Sequence, residues 1–258
     1  MYYVAIGDSF TEGLGDEFPD GSVRGWADLV AAGLAVAADE PVHYANLAVR
    51  GLLLEPIVTA QLPAALALSP APGLLTLNGG GNDMMRPGCD EDRLVELTGH
   101  AVRQCQEAGV RLVLISGADP TDRLPLGALV HRRGAGLTAR LAELADRHGV
   151  VFVDVFNDAE IRRPGYWSPD RLHLGPAGHQ RVAGLVLAAL GHTAAAHALA
   201  PGPAVGRSVR AEAGYYRRHV VPWVLRRITR RSSSAGRTGK HVDWVELGPA
   251  PLVPEPRP

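Results

Sequence analysis

A chain of 258 residues with 46% hydrophobic and 21% charged side chains has the composition of a soluble globular protein, long enough to bury the core of one large domain. Its net charge of −1 gives no overall pull toward nucleic acid or anionic membrane, and every Ala/Leu/Val run is broken by charge, Gly or Pro before it reaches a membrane-spanning length. The first apolar run starts at residue 2, with no room for a cleavable leader, so the expectation is a cytoplasmic chain or the mature part of a secreted one.

In chain order, short apolar runs alternate with longer helical patterns. Strands are expected at Tyr2 to Ile6, Val42 to Leu47, Gly73 to Asn78, Val110 to Ser116 and Val150 to Val155. Helices are expected at Trp26 to Ala37, Glu55 to Leu68 (interrupted by Pro), Asp90 to Ala108, Leu126 to His148 and Pro176 to Leu190. The last has Pro at its first position and Gly191 after it, both boundary signals. Continuous apolar strands separated by helices predict a three-layer α/β/α sandwich around a central parallel sheet of five strands, over residues 1–195. Ligands of such sheets bind at the carboxyl ends of the strands. Cys105 is in helical register with Leu94, Thr98 and Ala101 and reads as a buried thiol; with Cys89 it makes neither a disulfide framework nor a zinc site.

From Pro201 the character changes. Between Arg207 and Lys240 there are nine arginines and one lysine against a single acid, Glu212, with Tyr215, Tyr216 and Trp223 interleaved. Residues 196–258 are therefore expected to form a basic C-terminal extension with a Pro-rich end, broken by Pro222 into two short pieces. Such a segment either packs its apolar residues on the core with its arginines solvated, or contacts an anionic surface such as membrane or nucleic acid.

Four stretches carry chemistry: Gly7-Asp8-Ser9 after the first strand, Asn46 to Gly51 at the second, Gly79 to Asp83 after the third, and Ser168 to His173 before the last helix. All four fall at one edge of the expected sheet. A serine hydroxyl is a weak nucleophile and needs a base beside it. His173 can take and return its proton, and Asp170, three residues earlier, can fold back on the imidazole Nδ1–H to fix the tautomer. The oxyanion that forms needs donors placed in advance, for which Ser9 N–H, Gly51 N–H and the Asn82 side-chain amide are candidates. Asp8 and Asp83 are expected to brace the surrounding loops. Trp167 and the loop from Gly15 to Arg24 adjoin these motifs and are expected to line the pocket.

The order GDS, N-x-A-x-x-G, G-x-N-D and D-x-x-H resembles the GDSL/SGNH hydrolase family, with Phe10 where the family name has Leu. The resemblance spans about residues 3–190 and implies a flavodoxin-like fold. It also implies Ser9 as nucleophile, Asp170 and His173 completing a triad, and Gly51 and Asn82 with Ser9 as the oxyanion hole. The activity it implies is hydrolysis of small-molecule or lipid esters through an acyl-enzyme, without metal or cofactor. Transfer of the acyl group to a sugar or other alcohol uses the same site and stands as the alternative, and a binding protein acting through the basic extension is a third reading. Singly, each residue has a plainer explanation. Ser9 fits a helix cap, Asn82 an Asx-turn, Asp170 a solvated loop carboxylate and His173 a turn residue; the ordered set of four is what points to catalysis. The glycines at 79–81 are not followed by Lys-Ser/Thr, and no G-x-S-x-G surrounds Ser9, which excludes a P-loop and the usual α/β-hydrolase elbow. His179 reads as structural or surface, and His131 has no partner at a telling spacing.

Overall fold

The structure, a computed structural model, describes residues 1–123, 127–195 and 236–249. The arginine-rich stretch with Tyr215, Tyr216, Pro222 and Trp223, and the Pro-rich end, lie outside the described residues. The chain begins with β1 (Tyr2–Ile6), a short helix α1 (Ser9–Glu12), α2 (Trp26–Ala38) and β2 (Val42–Asn46). Then come α3 (Leu54–Pro56), a π-helical turn at Ile57–Gln61, α4 (Leu62–Leu66), β3 (Leu74–Leu77) and α5 (Gly81–Met84). The second half holds α6 (Glu91–Glu107), β4 (Arg111–Ile115), α7 (Gly127–His148), β5 (Val151–Val153), α8 (Pro176–Ala189) and β6 (His241–Leu247).

The sheet order is β5-β4-β3-β1-β2-β6, with the first five strands parallel. This corrects the expectation of five strands: among the described residues the sheet has six, and β6 pairs antiparallel with β2. The stretch 241–247, which lies within the expected extension of residues 196–258, thus sits in the same sheet. An isolated run of seven residues with polar positions carries no signal of which edge it joins, which is why the count fell short.

Strand alternation explains the layers. In β1, Tyr3 and Ala5 enter one core cluster while Val4 and Ile6 enter the other; in β4, Val113 and Ile115 oppose Leu112 and Leu114 in the same way. Helices α2 and α8 cover the first face, and α3, α4, α6 and α7 the second. Both faces being dry, the strands read as unbroken apolar runs. The long helices end where their caps dictate. The Asp90 side chain accepts from Arg93 N–H at the start of α6, and Pro176 opens α8.

The chain turns one way from β1 to β2 and the other way from β1 to β3, so the loops after β1 and β3 diverge and leave a crevice. Ser9 and Asn82 stand on α1 and α5, the short helices that follow those two strands. Opposite them, the segment from Tyr166 to Gly175 folds as a tight hairpin: Trp167 and Leu174 form a β-bridge, Ser168 N–H donates to the His173 carbonyl at 2.9 Å, and Gly175 N–H to the Tyr166 carbonyl at 2.8 Å. Gly178, in the first turn of α8, lies so close that an added Cβ would stand 2.3 Å from the Tyr166 carbonyl oxygen. Backbone cannot rotate aside as a side chain does. Gly178→Ala is therefore expected to lose about 1–3 kcal/mol in denaturant unfolding despite alanine's better helix propensity. A variant as stable as wild type would show that the hairpin does not rest on this contact.

Candidate active site

Ser9 is the first residue of α1, a helix of one turn. Asp8 caps it, its Oδ1 accepting from Phe10 N–H at 3.0 Å. The Ser9 N–H, at the head of the helix, is one of the donors that a helix start leaves without an intrahelical acceptor, at its positive end. Gly7, just before, is clamped by the Gln61 side chain, which accepts from Gly7 N–H at 2.8 Å and donates to the Gly7 carbonyl at 3.0 Å. Gln61 closes the π-helical turn, and the irregular turn is what aims it at the nucleophile loop. Nothing in the sequence pattern marked Gln61.

His173 Nε2 lies 3.0 Å from Ser9 Oγ, and His173 Nδ1 lies 2.6 Å from Asp170 Oδ2. A carboxylate only accepts, so Nδ1 carries the proton and Nε2 is left as the acceptor facing the hydroxyl. The other oxygen of Asp170 accepts from Ser168 Oγ–H at 2.7 Å and from the backbone N–H groups of Leu172 and His173, each at 2.9 Å. These donors wrap the D-x-x-H turn around the carboxylate and force Arg171 to φ +62°, a left-handed value rare for a non-glycine residue. Burial alone would raise the Asp170 pKa; the His173 hydrogen bond and charge, with the backbone and Ser168 donors, overcome it and hold the carboxyl well below the usual range.

Asp8 shows the opposite balance. Burial pushes its carboxyl up to about 6, and the Phe10 N–H, the His173 charge and the Asn82 amide only partly offset this. Asn82 Nδ2 donates to Asp8 Oδ2 at 3.0 Å and to the Leu52 carbonyl at 2.9 Å. Asp83 Oδ2 accepts from Leu54 N–H at 3.0 Å, tying α5 to the loop after β2, and burial raises its pKa. In that loop Gly51 sits at φ +80°, between Leu52 and Arg50. Arg50 donates its backbone N–H at 2.7 Å and its Nε–H at 2.9 Å to the Glu12 carboxylate. Glu12 and Arg50, like Gln61, escaped the sequence pattern: their pairing joins α1 to the loop after β2 and depends on the fold.

The crevice opens into a cavity of about 120 Å³ whose wall includes Ser9, Asn82 and His173 and is otherwise mostly apolar, with Met84, Val130, Leu137, Leu141, Phe156 and Trp167. Gly51 is not part of that wall. Trp167 lines it, but the loop from Gly15 to Arg24 does not. That loop folds on itself instead, through the Arg24–Asp16 ion pair at 2.9 Å, and its Gly15 is pressed against the Leu174 carbonyl. His131 does have a partner: its Nδ1 lies 2.8 Å from the buried carboxylate of Asp119, which also accepts from Thr121 Oγ1–H at 2.5 Å and so fixes one lip of the cavity. His179 is fully buried, accepting from Trp26 N–H and donating to the Leu14 carbonyl; burial drives its pKa down to about 4 and keeps it neutral. Cys105 is buried, and burial pushes its thiol up to about 11. Among the described residues no group of three or more His, Cys, Asp or Glu could hold a metal ion, and no helix is long and apolar enough to cross a membrane.

The Asp8 shift has a measurable consequence. Its folded pKa of about 6 lies above the unfolded value of 3.8, so the folded state holds a proton there that the unfolded chain has already lost. Stability from this group is present below pH 3.8 and is lost as pH rises through about 6. The total is about 3 kcal/mol, at roughly 1.4 kcal/mol per pH unit between the two values. Asp8→Asn, which cannot ionise, is expected to gain on wild type by up to about that much between pH 4 and pH 7 in urea unfolding. A constant difference would mean that burial does not raise the Asp8 pKa.

Comparison with known proteins follows the same lines. Residues 5–181 match the model of the GDSL-like Lipase/Acylhydrolase family. A search of curated protein sequences finds no significant match. Among solved structures, a lipase from a goat rumen metagenome superposes with a TM-score of 0.61 at 19% identity, covering 73% of this chain and 97% of its own. TesA gives 0.60 at 22% identity, over 74% and 98%. An acetyl-xylooligosaccharide esterase from Geobacillus gives 0.59 at 18% identity, over 74% and 94%. At these identities the structures establish the shared fold, and the family match over most of the chain carries the assignment: the protein belongs to the GDSL-like lipase/acylhydrolase family and is an ester hydrolase.

Proposed function

We propose that the protein cleaves carboxylic esters through an acyl-enzyme on Ser9. The observation that carries this is the unbroken hydrogen-bond chain Ser9 Oγ–His173 Nε2–His173 Nδ1–Asp170 Oδ2, at 3.0 and 2.6 Å, at the mouth of an apolar cavity. His173 Nε2 takes the Ser9 proton as Oγ attacks the ester carbonyl, and Asp170 stabilises the imidazolium. The carbonyl oxygen gains charge and is met by Ser9 N–H, with Gly51 N–H and Asn82 Nδ2–H as the further donors. Both Asn82 amide protons are engaged at rest, so Asn82 must exchange its bond to the Leu52 carbonyl for one to the oxyanion, while Asp8 keeps the amide in place. The imidazolium then protonates the leaving alcohol. Water, activated by the same histidine, attacks the acyl-serine and returns the proton to Ser9.

The apolar wall is suited to the acyl chain, and each buried methylene contributes about 0.8 kcal/mol, or roughly fourfold in kcat/KM. The expected profile on p-nitrophenyl esters rises from acetate to butyrate, two methylenes, by about fifteenfold. A flat profile would place the acyl chain outside the cavity. Ser9→Ala is expected to lower kcat at least ~10³-fold, and equal rates for wild type and Ser9→Ala would overturn the reading.

A further inference from the structure

The family match ends at residue 181, well before β6. Because β6 runs antiparallel to β2, its first residue, His241, pairs with the last residue of β2, Asn46. The start of β6 therefore lies at the carboxyl edge of the sheet, the edge that carries Ser9. The chain arrives there flat on the backbone of β2: a Cβ on Gly239 would stand 2.5 Å from the Asn46 carbonyl oxygen and from Leu47 Cα. Only a glycine permits that approach, and it delivers the next side chain, Lys240, inward.

Lys240 Nζ donates to the Glu12 carbonyl at 2.8 Å, the Val23 carbonyl at 3.2 Å and Asp28 Oδ2 at 2.6 Å. An ammonium has three protons, and here each has an acceptor on a different segment: the end of α1, the loop before α2, and the first turn of α2. The side chain is 16% exposed. Beside it, Asn46 Nδ2 donates to the Thr11 carbonyl at 3.1 Å, so the last two carbonyls of α1 are held from the β2–β6 edge. A one-turn helix has too few internal bonds to hold itself in place. The connection runs further: the carboxylate of Glu12 grips the backbone N–H and guanidinium of Arg50, next to Gly51. One ammonium from the C-terminal strand thus pins both the helix that carries Ser9 and, through Glu12, the loop that carries Gly51.

We propose that Lys240 is a positioning residue for ester hydrolysis, fixing Ser9 and Gly51 relative to each other through Glu12; this rests on the ester-hydrolase reading above. Small misplacements of a nucleophile cost rate out of proportion to their size, and leave ground-state binding in the apolar cavity intact. The test compares wild type, Ser9→Ala and Lys240→Met on p-nitrophenyl butyrate at 25 °C, with circular dichroism and melting curves to show that each is folded, and with the rate of Ser9 labelling by a fluorophosphonate. The expected result for Lys240→Met is a kcat lowered about tenfold or more, KM within about twofold, and labelling slowed by a similar factor. If Lys240→Met does not fold, Lys240→Gln, which leaves a polar head beside Asp28, carries the same comparison. A folded variant with wild-type kcat overturns the proposal, even if it melts lower, because the lysine would then serve the fold alone. Wild type no faster than Ser9→Ala would instead overturn the hydrolase reading itself.

Discussion

The 3.0 Å contact between Ser9 Oγ and His173 Nε2 joins groups 164 residues apart, and the surrounding architecture can be understood as two supports for it. On one side, β1 is buried on both faces and delivers Gly7, which Gln61 holds in both directions, so that α1 starts at a fixed point. On the other, the hairpin from Tyr166 to Gly175 is pinned by the Trp167 indole, whose Nε1–H donates to the Ile161 carbonyl at 2.7 Å, and by its close packing on α8. Neither support is made by the reacting residues. Movement of a few tenths of an ångström on either side would lengthen the contact beyond a useful hydrogen bond.

The same side-chain types take opposite characters because their surroundings differ. Asp170 and Asp8 flank one histidine, yet Asp170 is held ionised by several donors while burial dominates Asp8. Asp170 can therefore face the imidazole as a stable anion. Asp8 instead serves as a cap and an acceptor, for Phe10 N–H and Asn82. His173 and His179 divide similarly: one keeps an unshared nitrogen toward the hydroxyl, the other spends both nitrogens on backbone groups in a dry site. Solvation and donor count, more than residue identity, set these roles.

At the opposite edge of the sheet, β6 closes what would otherwise be an open row of β2 backbone groups. Trp244 anchors it, donating to the Pro70 carbonyl at 3.1 Å and packing edge-on against Tyr2. An edge strand that ended there would be a cover and no more. Its first residues lie at the site's edge, however, and the route from Lys240 through Glu12 to Arg50 makes the sheet edge continuous with the loops around Ser9.

The sequence by itself determined the five parallel strands, their covering helices and the ordered set of Ser9, Gly51, Asn82, Asp170 and His173. Those features are written in local pattern: unbroken apolar runs for strands buried on both faces, caps at helix ends, and motifs of three to six residues at strand ends. The first strand has the expected bounds and the other four are one to three residues shorter than expected, since apolar residues continue past the last ladder bond. Only the tertiary structure decided the sixth strand and its direction, the clamp of Gln61 on Gly7, the partner of His131, and the Glu12–Arg50 and Lys240 contacts. Each of these joins residues remote in the chain through single side chains, and a lone Gln, Glu or Lys has no periodicity to announce its partner. It also decided that the Gly15–Arg24 loop stays out of the cavity wall, because the Asp16–Arg24 pair and the approach of Gly15 to Leu174 are set by packing, not by adjacency to a motif.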